Sequence, residues 1–217
     1  MKKLLLLLSA ITVFVGYWFL KNRSETPSNV QSSCIVVNDD KPDITLTGEE
    51  KIGLYLSPLD ELGRAGVASA YISKDTLQDG ERGEIGHIRP SGWHTVKYPD
   101  QIEDIFLYQR CHLIMWALYG DDTNVPENLI TGTRYMNVEG MLPIEMEVLN
   151  YIRKTGSEMY YRVTPKYTGD KGDNLVADGV LIEALSKDGR FSRCRYVENV
   201  QPGIVIDYKT GESRIEN

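Results

Sequence analysis

The chain has 217 residues, 41% hydrophobic and 25% charged, a composition that fits one globular domain with a proper core. Its formal charge is −7, and because Lys2, Lys3, Lys21, Arg23 and Glu25 all precede Thr26, the remainder carries −10. That balance argues against a protein that coats nucleic acid through bulk charge, while leaving room for an enzyme with a local basic cleft. Three cysteines, at 34, 111 and 194, are an odd number, so at least one is unpaired or pairs between chains. With no CxxC and only His87, His94 and His112, the inventory argues against a structural zinc site.

Residues 1–20 open with two lysines and an uncharged run from Leu4 to Leu20. That run is long for the apolar core of a signal peptide and short but adequate for a membrane span. No small-x-small cleavage site follows, and the chain goes directly to Lys21-Asn22-Arg23. We expect an uncleaved signal anchor that leaves the rest of the chain outside the cell; a cleaved secretory signal is the alternative. Residues 21–43, rich in Ser, Asn, Thr, Gln and Pro, read as a polar tether, and residues 44–217 as the folded domain.

Within that domain, Ile44-Thr45-Leu46 has a short alternating pattern, and Ser57 to Asp60 is a turn. Val67 to Ile72, Trp93 to Tyr98 and Leu107 to Arg110 read as strands, separated by a long charged loop over 73–92. An apolar helix is predicted from Leu113 to Tyr119, then an acidic loop over 120–127 that lacks the ligand alternation of a calcium site. The spacing of Ile144, Val148, Tyr151 and Ile152 predicts a helix that starts at Pro143 and stops at Thr155-Gly156. Four strand-like runs close the chain: Met159 to Pro165, Leu175 to Leu185, Phe191 to Val197 and Ile204 to Tyr208. This order predicts an α+β domain with an antiparallel sheet.

The residues that carry chemistry cluster between Leu107 and Glu145. Arg110 and His112 sit at the end of a strand, with Asn128, Asn137 and Glu145 downstream. Hydrolysis of a phosphodiester needs such a set. A neutral imidazole takes a proton from water, a guanidinium holds a phosphate, and an amide oxygen suits a hard, hydrated cation. Arg89 and Lys97 are candidates to line a groove, and Trp93 and His94 are explained as well by packing as by base stacking.

The words YQRCHL and NLITGTRYMNVEGMLP, with PLDELGRAGVA, PSGWHTVKY, YYRVTP, NLVADGV and NVQPGIVIDYKTGES, cover most of the chain after the tether. Together they resemble the DNA/RNA non-specific endonucleases of the ββα-metal (His-Me finger) fold. The branch they look like is the membrane-bound DNA-entry nucleases and secreted DNases of Gram-positive bacteria. Asn128 and Asn137 are nine apart and Glu145 lies eight further on, matching the family's functional set. The family's usual Asp-Arg-Gly-His appears here as Gln109-Arg110-Cys111-His112.

The resemblance implies an antiparallel sheet carrying a ββα-metal core, with His112 as general base and Asn137 as ligand to Mg²⁺, for which Mn²⁺ is a substitute. Glu145 would hold water in the ion's shell and Asn128 would orient a catalytic group or the phosphate. Arg110 would hold the scissile phosphate, and Arg134 is a weaker candidate for a neighbouring one. The implied substrate is DNA, with RNA left open, cut to 5′-phosphate and 3′-hydroxyl ends with little sequence specificity. The rival is a non-catalytic, membrane-tethered surface protein that binds nucleic acid.

Overall fold

The computed structural model describes residues 33–169 and 172–216. The expected anchor over 1–20 and the first part of the tether lie outside the described residues. In chain order the strands are β1 (Cys34–Val36), β2 (Gly53–Leu56), β3 (Ala68–Ile72), β4 (Tyr108–His112), β5 (Leu129–Thr133), β6 (Met159–Lys166), β7 (Gly179–Ser186), β8 (Ser192–Glu198), β9 (Ile204–Ile206) and β10 (Ser213–Ile215). The helices are α1 (Trp116–Tyr119), a π-helix (Met136–Met141) and α2 (Leu142–Thr155).

Six strands form one sheet in the order β1-β8-β7-β6-β3-β2, every neighbour antiparallel. In β6 the side chains of Met159, Tyr161, Val163 and Pro165 turn inward while their neighbours are half-buried or exposed, the period of two that a pleated strand imposes. One apolar cluster joins this sheet to α2 and to the β4–β5 hairpin. It contains Tyr161, Val163 and Ile182 of the sheet, Ile144, Val148 and Ile152 of α2, and Cys111 and Ile130 of the hairpin. Helix α2 starts with Pro143 in its first turn and ends at Gly156, whose φ of +71° and backbone N–H to the Ile152 carbonyl make the left-handed stop that glycine favours.

The α+β class and the antiparallel sheet agree with the sequence reading, and several boundaries move. The folded part begins earlier than residue 44. Cys34, Ile35 and Val36, expected in the tether, pair with Val197, Tyr196 and Arg195 on the edge of β8, because a short β-prone run meets an open sheet edge. From there residues 37–52 form a strap that runs from the β1 edge of the sheet to the β2 edge. Asp43 fixes its middle: its N–H donates to the buried Glu183 carboxylate (2.8 Å), and its carbonyl accepts from Arg162 (2.7 Å). Ile44 to Leu46 lies in this strap and forms no strand. Of the strand expected over Trp93 to Tyr98, only the bridge Lys97–Phe106 is realised. The helix expected over Leu113 to Tyr119 shrinks to one turn, because Asn128 engages the N–H groups of Leu113 and Ile114 (2.8 and 2.9 Å).

Candidate active site

The hairpin β4–β5 and helix α2 together make a β-β-α unit. Tyr108 pairs with Thr133, Arg110 with Thr131 and His112 with Leu129. The alternation along β4 separates its functional side chains. Arg110 and His112 line a cavity of about 610 Å³, while Cys111 between them is buried in the core. The same cavity is lined by Asn137 and Glu145, so four of the six expected site residues converge. Glu81, Arg82, Met115, Trp116, Ala117 and Leu142 complete its wall.

His112 is 8% exposed. Burial, outweighing its hydrogen bond to Asn124, pushes its pKa down to about 4, so the imidazole is neutral at physiological pH. The partner network also fixes its tautomer. Asp121 Oδ1 accepts from the Trp116 indole N–H (2.7 Å) and from Asn124 Nδ2 (3.1 Å). That contact turns the Asn124 oxygen toward His112 Nε2, 2.9 Å away. An amide oxygen only accepts, so Nε2 carries the hydrogen and Nδ1 keeps the lone pair. Asn124 was not singled out by sequence, where it sits in an acidic loop with no periodic signal. Arg82, in the charged loop over 73–92, likewise carries no periodic signal. It is exposed on the wall of the cavity and makes no ion pair among the described residues.

Asn137 lies in the π-helix, where the N–H of Leu142 reaches back five residues to its carbonyl. Such a bulge turns a residue off the helical register and often marks a functional position. Its Nδ2 donates to Gln109 Oε1 at 2.6 Å, which leaves Oδ1 as an acceptor on the cavity side. Gln109, standing where the family most often has Asp, thus orients this amide. Glu145 is 6% exposed, and burial alone pushes its carboxyl up to about 8. A buried carboxyl facing a cavity and offset by no cation among the described residues, beside an outward amide oxygen, is an all-oxygen donor set. It fits a hard divalent cation that keeps most of its waters.

Arg110 is partly committed. Its Nε donates to the Ile88 carbonyl (2.6 Å), Nη2 donates to the Gly86 carbonyl (2.9 Å), and its Cζ lies 4.1 Å from the Trp93 ring centroid. The remaining donors border the cavity. The structure does not bring two expected residues there. Arg134 is held by Asp104 (2.5 Å) and Glu103 (2.8 Å), so its charge is already matched. Asn128 is fully buried, accepting from Ile114 N–H (2.9 Å) and donating to the carbonyls of Ile114 (2.9 Å) and Thr123 (3.0 Å). With these bonds made, it positions the loop that carries Asn124 and does not reach the cavity.

A β-β-α unit with a neutral histidine on its strand, an amide on its helical side and an arginine beside them defines the ββα-metal class of nuclease folds. Comparison with known proteins agrees. The family model for DNA/RNA non-specific endonucleases matches residues 45–187, and the chain belongs to that family. A deoxyribonuclease of Streptococcus dysgalactiae subsp. equisimilis is 36% identical over 110 residues, 48% of this chain and 32% of the relative, so the match spans about a third of that protein. Among solved structures, NucA from Streptococcus agalactiae without metal superimposes with a TM-score of 0.73 at 25% identity, covering 82% of this chain and 85% of that one. Its magnesium-bound form gives 0.74 at 24% identity over the same shares. The Sda1 nuclease with a bound zinc ion gives 0.63 at 28% identity, covering 76% of this chain and 82% of that one.

Proposed function

We propose that the protein is a metal-dependent endonuclease that hydrolyses phosphodiester bonds of DNA with little regard to sequence. The observation that carries this reading is the single cavity onto which His112, Asn137, Glu145 and Arg110 converge. His112 Nδ1 takes the proton of the attacking water, and the Asn124 oxygen stabilises the imidazolium that forms, since Nε2–H keeps donating to it. Arg110 and Arg82 hold the non-bridging oxygens of the phosphate. Asn137 Oδ1 and the Glu145 carboxylate would hold Mg²⁺ or its waters, and Gln109 keeps the amide in place. When bound, the cation neutralises phosphate charge and stabilises the departing 3′ oxygen. Divalent metal use is supported by the zinc ion of Sda1; the oxygen-only donors favour Mg²⁺, with Mn²⁺ as a substitute. Nothing in the cavity is arranged to read base edges, and RNA shares the phosphate chemistry and is a candidate second substrate.

The decisive experiment incubates the purified protein with plasmid DNA in Mg²⁺ or in EDTA. The wild type should nick and degrade the plasmid only with metal, leaving 5′-phosphate ends, and His112→Ala should be slower by roughly 10²–10⁴. Binding without cutting in saturating metal would favour the rival reading, a non-catalytic nucleic-acid receptor.

For location, we propose a single membrane anchor at residues 1–20 with the nuclease domain outside the cell, supported by the unbroken apolar run and the lack of a cleavage site. Cell fractionation with added protease tests it. A mature N-terminus beyond residue 23 in the medium would show a cleaved signal instead.

A further inference from the structure

A second cavity, of about 940 Å³, adjoins the first and shares Arg82, Arg110 and Asn137 with it. Its volume is within the roughly 300–1,000 Å³ of small-molecule sites. Besides the two shared arginines, its lining carries the aromatic rings of Trp93 and Phe106, the Thr95 hydroxyl, and the carboxylates of Glu84 and Asp104. Phe106 is 37% exposed, a large apolar ring open to solvent, and the Lys97 ammonium lies 4.9 Å from its centroid. Trp93 carries Arg110 at 4.1 Å. Cations interleaved with aromatic rings beside a phosphate site are the surface on which single-stranded nucleic acid stacks.

We propose that this cavity is a subsite for one unpaired nucleoside next to the scissile phosphate, and that the enzyme therefore favours single-stranded or frayed substrate. The inference rests on the nuclease reading of the adjoining site. Glu84 makes no ion pair among the described residues and disfavours a phosphate beside it, whereas Asp104 is already paired with Arg134. The phosphate remains at the shared wall with Arg82 and Arg110. Phe106 gives the base a face to stack on. In a duplex both faces of each base are already covered, and reaching the cavity requires unstacking at a cost of a few kcal/mol.

The test uses the full chain in Mg²⁺ with His112→Ala as background, so that substrate binds uncut, and a single-stranded oligonucleotide carrying 2-aminopurine. Stacking should quench the probe on the His112→Ala protein. Adding Phe106→Ala should remove the quenching and weaken single-strand binding about tenfold, with a far smaller effect on the matching duplex. Phe106→Tyr keeps the ring and should restore both, which separates stacking from misfolding. Thr95→Trp, which fills the cavity, should act like Phe106→Ala. Unchanged quenching in Phe106→Ala, or equal losses on single strand and duplex, would overturn the proposal. If the probe is quenched as described but wild-type protein cuts neither substrate, the subsite stands and the nuclease reading falls.

Discussion

At the scale of single residues, the geometry around His112 assigns a function to a side chain two steps from the substrate. Asp121 orients Asn124, and Asn124 decides which nitrogen of His112 keeps its lone pair, the one that acts as base in the proposed mechanism. Asn124→Leu removes the acceptor, so ¹⁵N shifts of His112 should show a mixture of tautomers. kcat should fall about 10–100-fold with little change in KM; an unchanged tautomer in the variant would refute the assignment. The burial of His112 also links stability to pH. Its folded pKa of about 4 lies below the ordinary 6.5, so the unfolded chain takes up the proton first as pH falls. The stability present above pH 6.5 is therefore lost as pH drops toward 4, by ~3 kcal/mol at most. Denaturant melts in EDTA should show this loss in wild type and a flatter profile in His112→Asn. The sequence made His112, Arg110, Asn137 and Glu145 legible because motif spacing locates residues on neighbouring elements. It misplaced Arg134, since a positive charge in a motif carries no sign of the Asp104 and Glu103 that neutralise it.

At the scale of elements, the site depends on how the hairpin meets the helix. Cys111, which replaces the family's usual glycine, points away from His112 into the core, and the space for its sulfur comes from the facing strand. A Cβ on Gly132 would lie 2.4 Å from Cys111 Sγ and 2.6 Å from Met136 Cε. Gly132→Ala should therefore destabilise the protein by about 1–3 kcal/mol, and Cys111→Gly in the same chain should recover part of that, as thermal melts of the double-mutant cycle would show. Asn128 fastens the connection between the two strands. Asn128→Ala leaves buried backbone groups unpaired and should cost about 2–4 kcal/mol. If it instead abolished activity with no loss of stability, Asn128 would act on the reaction directly. The helix at Pro143 and the strands after Met159 were legible from period and caps. The π-helix was not, because its extra residue leaves no trace in an apolar pattern. Nor was the shortening of α1, which is imposed by Asn128 fourteen residues beyond Ile114.

For the whole molecule, a charge of −10 after Thr26 leaves binding to a few local cations. With Arg134 neutralised, Arg82 and Arg110 remain in the cleft, and each phosphate contact contributes about −0.9 to the slope of log K against log salt. A slope near −2, measured by anisotropy with His112→Ala protein, is expected; a slope of several units would reveal a broad basic face elsewhere. If the proposed anchor holds the chain at a membrane, the strap over 37–52 sets where the enzyme can be cut free. Ser33 accepts from Glu198 N–H (2.8 Å), β1 closes one sheet edge, and Asp40 bonds to Cys194 and Arg195 before Asp43 reaches Glu183. A cut ahead of Ser33 would leave the β1–β8 pairing and the strap's contacts whole. A cut just beyond Asp43 strips an edge strand and leaves Glu183 with one partner fewer. The sheet therefore limits where a cut can fall, and any active nuclease recovered from culture medium should begin no later than Ser33.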